Sequence, residues 1–92
     1  MKPRSASWAR KRVEIKRFVG AELRRLRLAA GLTQSEVGRA TGVDRAIVAR
    51  VERGIHGASL RTIDRQARAC NGSLARVLFA YDVATGWLKV MP

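Results

Sequence analysis

Length, composition and charge restrict the chain to one small, basic domain. It has 92 residues, 47% of them apolar, which is enough for a single modest core. Its 19 Lys and Arg residues exceed its 7 acidic residues by 12 charges, so we expect a polyanionic partner: DNA, RNA or, less favoured, an anionic membrane surface. The lone cysteine, Cys70, and the lone histidine, His56, exclude an intrachain disulfide and a Cys- or His-based metal site.

Catalysis and membrane insertion are also disfavoured by the composition. The few scattered acids and one histidine form no acid–base pair, and no apolar run is long enough for a membrane span or a signal peptide. We therefore expect a cytoplasmic, nucleoid-associated protein that is not an enzyme, with no cofactor, metal or small-molecule ligand.

The positive charge is concentrated at the N-terminal end. Residues 1–30 carry ten basic and two acidic residues, residues 31–76 carry eight and four, and residues 77–92 carry one of each. We therefore divide the chain into a basic N-terminal arm or helix extension (residues 1–17), a central domain (18–81) and a short apolar tail (82–92).

The first predicted element is an amphipathic helix that ends at Gly31. Its apolar stripe recurs at helical spacing, with Arg17, Arg24, Arg25 and Arg27 placed on other faces. Two starting points are open: near Phe18, or further back with Ser7 as the N-cap. The stripe consists of Ile15, Val19, Leu23, Leu26 and Ala30.

Four shorter helices follow, each opened by a capping residue. Thr33 and Glu36 form a capping box, and Asp44, Ser59 and Ser73 are the later N-caps. Val48 and Val51 are expected on the buried face of the second short helix. The third is expected to bury Leu60, Ile63, Ala67 and Cys70, and the fourth Leu74, Val77, Leu78 and Tyr81.

Two short capped helices joined by a glycine-containing turn, with the small Gly38 at their crossing, are typical of a helix-turn-helix. From Val19 to Val77 the sequence resembles the phage lambda repressor and Cro-like family, the xenobiotic-response-element type. This resemblance implies an all-α fold of five helices and sequence-specific binding to double-stranded DNA, usually for transcriptional control. The matching elements are Leu23-Arg-Arg-Leu-Arg27, Gly31-Leu-Thr-Gln34, Gly42-Val43, Val48, Val51-Glu-Arg-Gly54 and Ser59-Leu60.

The family pattern also exposes three departures. Thr41, Asp64 and Gln66 are polar where family members usually have an aliphatic residue. These side chains are expected either to face a partner subunit or to be satisfied by internal hydrogen bonds.

The resemblance places candidate DNA contacts on the two motif helices. Gln34, with Ser35, is expected to anchor the first helix to a phosphate, and Arg45 to read guanine bidentately. Ile47 is expected either to contact a thymine methyl group or to cover the edge of the motif, and His56 either to donate to DNA or to be an ordinary loop residue. The remaining candidates in this region are Ala46, Ala49, Arg50 and Arg53.

The two ends of the chain extend these expectations. Arg10, Lys11 and Arg12 in the basic arm predict phosphate tracking or minor-groove insertion, against the alternative of a solvated charge run. The apolar tail predicts either packing onto the domain or a homodimer through Trp87, Leu88, Val90 or Trp8.

The predicted function is a DNA-binding transcriptional regulator, a repressor of the phage-immunity type or similar. The alternatives are an antitoxin that represses its own operon, with the tail as a toxin-binding surface, and a non-specific architectural or RNA-binding protein.

Overall fold

In the computed structural model a long first helix, α1 (Lys2–Ala29), packs against three of the four helices that follow. The structure describes residues 2–55 and 57–86, and residues 2–9 by their backbone alone. The helix starts at neither predicted position but continues through both Phe18 and Ser7. Pro3 lies in its first turn, where a missing N–H group is tolerated, and the Arg-, Lys- and Ala-rich sequence that follows favours a helix. Residues 2–17 are therefore a helical extension in the structure.

The C-terminal end of α1 is the glycine stop predicted from the sequence. Gly31 has φ +72°, its N–H donates to the carbonyl of Leu28, and the N–H of Leu32 donates to that of Arg27. This pair of bonds is a Schellman motif, in which a left-handed glycine satisfies the last carbonyls of the helix.

Four short helices complete the described part of the chain: α2 (Gln34–Thr41), α3 (Arg45–Glu52), α4 (Leu60–Ala69) and α5 (Leu74–Thr85). All four predicted caps are confirmed, since Thr33, Asp44, Ser59 and Ser73 each accept a backbone hydrogen bond from the first turn that follows. α5 continues past Tyr81 to Thr85, so the boundary predicted at residue 82 falls within a helix. No strand occurs among the described residues.

Two adjoining apolar clusters fill the space between the helices. The first joins α1, α3, α4 and α5 through Val19, Leu23, Val51, Ala67 and Val77. The second joins α2, α3 and the end of α4 through Val37, Val48 and Cys70. Cys70 is thus the small core residue that its place in the stripe predicted, and burial raises the pKa of its thiol.

Three residues of the predicted apolar stripes are exposed rather than buried. Ile15, Leu60 and Leu78 are exposed in the described structure. Ile15 belongs to the part of α1 that extends beyond the bundle, and Leu60 is the first residue of its helix. Helical periodicity predicted the face on which each side chain lies, but an additional helix must lie opposite that face to bury it.

Backbone-to-backbone contacts fix how closely the helices cross. A Cβ atom at Gly38 would lie 2.7 Å from the carbonyl oxygen of Val43, which confirms the close crossing of α2 and α3 predicted from this glycine. A Cβ atom at Gly20 would lie 2.4 Å from the carbonyl oxygen of Val51, so α1 lies directly against the C-terminal end of α3. The side of α3 that packs on the body is thereby fixed.

The three polar departures have different surroundings. Thr41 donates to the carbonyl of Val37 at 2.7 Å. Asp64 accepts from Arg68 and from the backbone N–H of Leu74, and these two bonds, that of Arg68 above all, lower the pKa of its carboxyl. Gln66 is 2% exposed and its Nε2 has no hydrogen-bond partner in the described structure. Internal hydrogen bonds therefore satisfy the first two residues, whereas Gln66 is buried with its amide nitrogen unsatisfied.

Candidate nucleic-acid interface

The buried core of the motif is held together by an ion pair. Arg27 Nε donates to Glu52 Oε2 at 2.6 Å and Nη2 donates to Oε1 at 3.0 Å, with side-chain exposures of 10% and 3%. These hydrogen bonds raise the pKa of the Arg27 guanidinium. Arg27 was predicted to lie on a face of the first helix away from the apolar stripe, but it is buried. Its position four residues after the buried Leu23 was a signal for this placement, because such residues share a helix face.

The same ion pair orients the first residue of α2. Gln34 Nε2 donates to Glu52 Oε1 at 3.2 Å, and Arg27 Nη1 donates to the carbonyl of Leu32 at 2.9 Å. α1, α2 and α3 are therefore linked by one polar network. The arginine that pairs with Glu52 lies 25 residues away in sequence.

The start of α2 has a capping box and two backbone N–H groups that can bind an anion. Thr33 Oγ1 accepts from the Glu36 N–H, and the Glu36 carboxylate accepts from the Thr33 N–H. The backbone N–H groups of Gln34 and Ser35 have no acceptor within their own helix, and the helix dipole is positive at this end. These two N–H groups can bind a phosphate oxygen.

Several predicted contacts surround two adjoining clefts. A cleft of about 430 Å³ brings together Arg24, Gln34, Arg45 and Arg53, with Ala49 and Glu52 at its base. The neighbouring cleft, of about 610 Å³, shares Arg24, Gln34 and Arg45 and adds Ser35. Among the described residues that line the first cleft, Glu52 is the one carboxylate, and Arg27 neutralises it. The net charge of this surface is therefore positive.

The remaining predicted residues lie in several different places. Ala46 and Arg50 are exposed on α3, beside the clefts. Ile47 is half-buried and packs against the first apolar cluster, as expected for a residue that covers the edge of the motif. Arg10, Lys11 and Arg12 are exposed on the N-terminal half of α1, away from the clefts. His56, Trp87, Leu88 and Val90, and the side chain of Trp8, lie outside the described residues.

Arg24 is a cleft residue that was predicted only to lie on an outer face of the first helix. It is exposed on α1 and lines both clefts with Gln34 and Arg45. The sequence carried one signal for it, the seven-residue interval that separates it from Arg17 and that separates Arg17 from Arg10. This interval places the three arginines on one side of a helix.

Metal-binding clusters and membrane-spanning helices are both absent from the described residues. No group of three or more His, Cys, Asp and Glu residues in this part of the chain is arranged to hold a metal ion. No helix in residues 2–55 and 57–86 combines the length and apolar character that a membrane span requires.

A capped helix pair with a tight turn, a second helix exposed along one side and a positively charged cleft define a helix-turn-helix nucleic-acid-binding protein. A family model described as a helix-turn-helix domain matches residues 19–78. The chain belongs to this family of DNA-binding transcriptional regulators, and the resemblance to lambda-repressor-like proteins is confirmed.

Solved structures support the same assignment. The chain is 36% identical to the restriction-modification controller protein C.AhdI of Aeromonas hydrophila, over 70% of this chain and 96% of that one, with a TM-score of 0.63. It is 29% identical to the clp gene regulator ClgR of C. glutamicum, over 71% of this chain and 84% of that one, with a TM-score of 0.66. A search of curated proteins returned no match.

Proposed function

We propose that the protein is a transcriptional repressor that recognises a double-stranded DNA operator by inserting α3 into the major groove. The observation that carries this proposal is the convergence of Gln34, Arg45 and Arg53 on one uncovered cleft beside the exposed side of α3. Two of the similar structures are named as a gene regulator and a restriction-modification controller, which supports a regulatory role.

Within this proposal the base-reading residues are on the exposed side of α3. Arg45, at the N-terminal end of the helix, makes bidentate hydrogen bonds to guanine O6 and N7. Ala46 and Ala49 allow close approach to the bases, and Arg50 binds a base or a phosphate. The half-buried Ile47 has too little free surface to contribute a major contact.

Gln34 and Ser35 serve as the phosphate anchor in this proposal. The Gln34 amide has two donor hydrogens on Nε2, and the bond to Glu52 engages one of them. The other hydrogen and the first N–H groups of α2 are available to a phosphate oxygen, which fixes the register of α3 in the groove. Arg53, immediately after α3, contributes a further phosphate contact.

Part of the positive charge in the N-terminal half of α1 supplies affinity that does not depend on sequence. The helical backbone of this segment favours phosphate contact over minor-groove insertion, because an α-helix is roughly 10–12 Å wide and the minor groove about 6 Å. Repression would follow from competition with polymerase for the operator, as in the family that the sequence resembles. The homodimer predicted through Trp87, Leu88, Val90 or Trp8 remains a prediction.

The test compares Arg45→Ala with Arg39→Ala. Arg39 is a suitable control because it is an exposed arginine that lines a different cleft, with Arg65 and Arg68. A selection from random duplexes first gives the preferred site of the full chain. Arg45→Ala should lose about 1–3 kcal/mol on this site and relax the preference at one base position. Arg39→Ala should leave the sequence preference unchanged.

Three outcomes would contradict the proposal. Equal weakening of all sequences by Arg45→Ala would rule out its base-reading role. A selection that yields no preferred duplex, with strongly salt-dependent binding, would support the architectural protein instead. Preference for RNA over DNA would support the RNA-binding alternative.

A further inference from the structure

We propose that Arg10, Arg17 and Arg24 form a ridge along α1 that binds the phosphate backbone of DNA flanking the site contacted by α3. This inference rests on the proposed function and assigns it a second contact surface. The three residues follow one another at intervals of seven and all are exposed. Seven residues make almost two helical turns, so the side chains drift by only about 20° from one arginine to the next.

One end of this arginine ridge lies at the proposed interface. Arg24 lines the same cleft as Gln34, Arg45 and Arg53. Because these residues come from α1, α2, α3 and the turn after α3, the cleft fixes where α1 lies relative to the recognition helix. A duplex that contacts Arg45 therefore comes within reach of Arg24.

The middle of the ridge lies beside the C-terminal end of α3. A Cβ atom at Gly54 would lie 2.9 Å from the Cα atom of Arg17, so the backbone of this turn contacts α1 at Arg17. A Cβ atom at Gly20 would likewise lie 2.6 Å from the carbonyl oxygen of Glu52. α1 thus crosses the end of α3, on the side where a recognition helix leaves the groove and approaches the phosphates.

The far end of the ridge extends beyond the body of the domain. Residues 10–17 are all exposed; the turn at Gly54 reaches this segment at Arg17, and Gly57 and Ala58 border it at Ile15 and Lys16. Arg10 precedes Arg24 by 14 residues, which is about 21 Å along the helix and corresponds to roughly six base pairs of duplex. The ridge is long enough to extend the footprint past the bases that α3 can reach.

The local charges leave these three guanidinium groups available. Glu22 pairs with Arg25 at 2.7 Å, and Glu14 lies 3.8 Å from Lys11. Within the described residues, no ion pair joins Arg10, Arg17 or Arg24 to a carboxylate. A guanidinium offers several donors in a fixed plane and binds phosphate bidentately, so each residue suits a backbone contact.

Lys11 and Arg12 lie on other faces of the same helix. Each residue turns the helix by about 100°, so these two side chains are displaced by roughly 100° and 200° from Arg10. A rigid helix that presents Arg10 and Arg17 to the duplex therefore turns Arg12 away from it. Of the basic residues in the arm, this geometry therefore assigns the DNA contact to the stripe that contains Arg10 and Arg17.

The experiment compares two double variants of the full chain, R10Q/R17Q and K11Q/R12Q. Each removes two positive charges from exposed positions in the same helical segment, so the change in net charge is matched. Affinity for the selected site, carried on a duplex with long flanks, is measured by fluorescence anisotropy over a series of salt concentrations. Circular dichroism verifies that both variants retain their helix content.

R10Q/R17Q should reduce the slope of log K against log salt by about 1.8, because each phosphate that a protein neutralises contributes about 0.9 to this slope. K11Q/R12Q should change the slope by less than a third of this amount. Shortening the flanks of the duplex to the bases reached by α3 should reduce the slope of the unmodified chain similarly and leave that of R10Q/R17Q nearly unchanged.

Equal effects of the two double variants would overturn the ridge, because they would show a general effect of charge. No effect of either would overturn it too. In both cases a relaxed base preference in Arg45→Ala would still establish major-groove recognition, so a failed ridge is distinguishable from a failed function. A ridge effect combined with no base preference would instead reject the proposed repressor and retain the ridge as a non-specific contact.

Discussion

The buried ion pair between Arg27 and Glu52 allows a sharp prediction about stability. Glu52→Gln removes the negative charge and leaves the Arg27 guanidinium buried without a counter-ion, since the pair has side-chain exposures of only 10% and 3%. Removing one partner of a buried pair typically costs about 3–5 kcal/mol. For a domain of this size each kcal/mol lowers Tm by roughly 4–8 °C, so we expect Tm to fall by at least about 12 °C.

A matched control is present in α1, the helix that contains Arg27. Glu22 and Arg25 form a similarly short bidentate pair, at 2.7 and 2.9 Å. The Glu22 side chain is 13% exposed but that of Arg25 is 63% exposed, so the guanidinium left behind by a Glu22 substitution stays in solvent. Solvent screens this pair, so Glu22→Gln should cost less than about 1 kcal/mol despite the identical change in charge. Arg25 holds the pKa of Glu22 below its ordinary value through their hydrogen bonds, so the control carboxylate is ionised at neutral pH.

The assay is thermal and urea unfolding of the full chain, followed by circular dichroism. The double variant Arg27→Met/Glu52→Met should recover most of the stability, because an apolar pair of similar volume needs no counter-ion. Equal destabilisation by Glu52→Gln and Glu22→Gln would refute the reasoning. Failure of the double variant to recover would show that hydrogen bonds to Leu32 and Gln34, rather than the uncompensated charge, dominate the destabilisation.

Two further predictions concern packing. Gly20→Ala should destabilise the fold by about 1–3 kcal/mol or more, because the added methyl group meets the backbone carbonyls of Val51 and Glu52 rather than a movable side chain. Gly57→Ala is the control in urea unfolding, because a Cβ atom there would make only an ordinary contact, 3.9 Å from Lys16 Nζ. Gln66→Met should raise the free energy of unfolding by about 1–3 kcal/mol, because it removes a buried amide nitrogen that has no hydrogen-bond partner and keeps a similar volume. An unchanged or lower urea midpoint would contradict this account.

One part of the candidate interface could be predicted from the sequence and another could not. The exposed side of α3 was predicted because the capping residue Asp44 sets where the helix begins, and the buried Val48 and Val51 then fix its orientation. Arg24 was missed because its position in the cleft depends on how α1 crosses α3. The contact of Gly20 with Val51 decides that crossing, and nothing in the local sequence of α1 specifies its partner.

The concentration of charge at the N-terminal end was determined by the sequence alone, as were the four capped helices and the order of the helix-turn-helix elements. The capped helices depend on neighbours within four residues, so each can be predicted from a short stretch of sequence. Tertiary structure decided which charges are buried and which share a surface. Arg27 reaches Glu52 across 25 residues, and Arg24 lines the same cleft as Arg45 only because α1 lies against the end of α3. Such contacts join distant parts of the chain, so they exist only once the helices have packed.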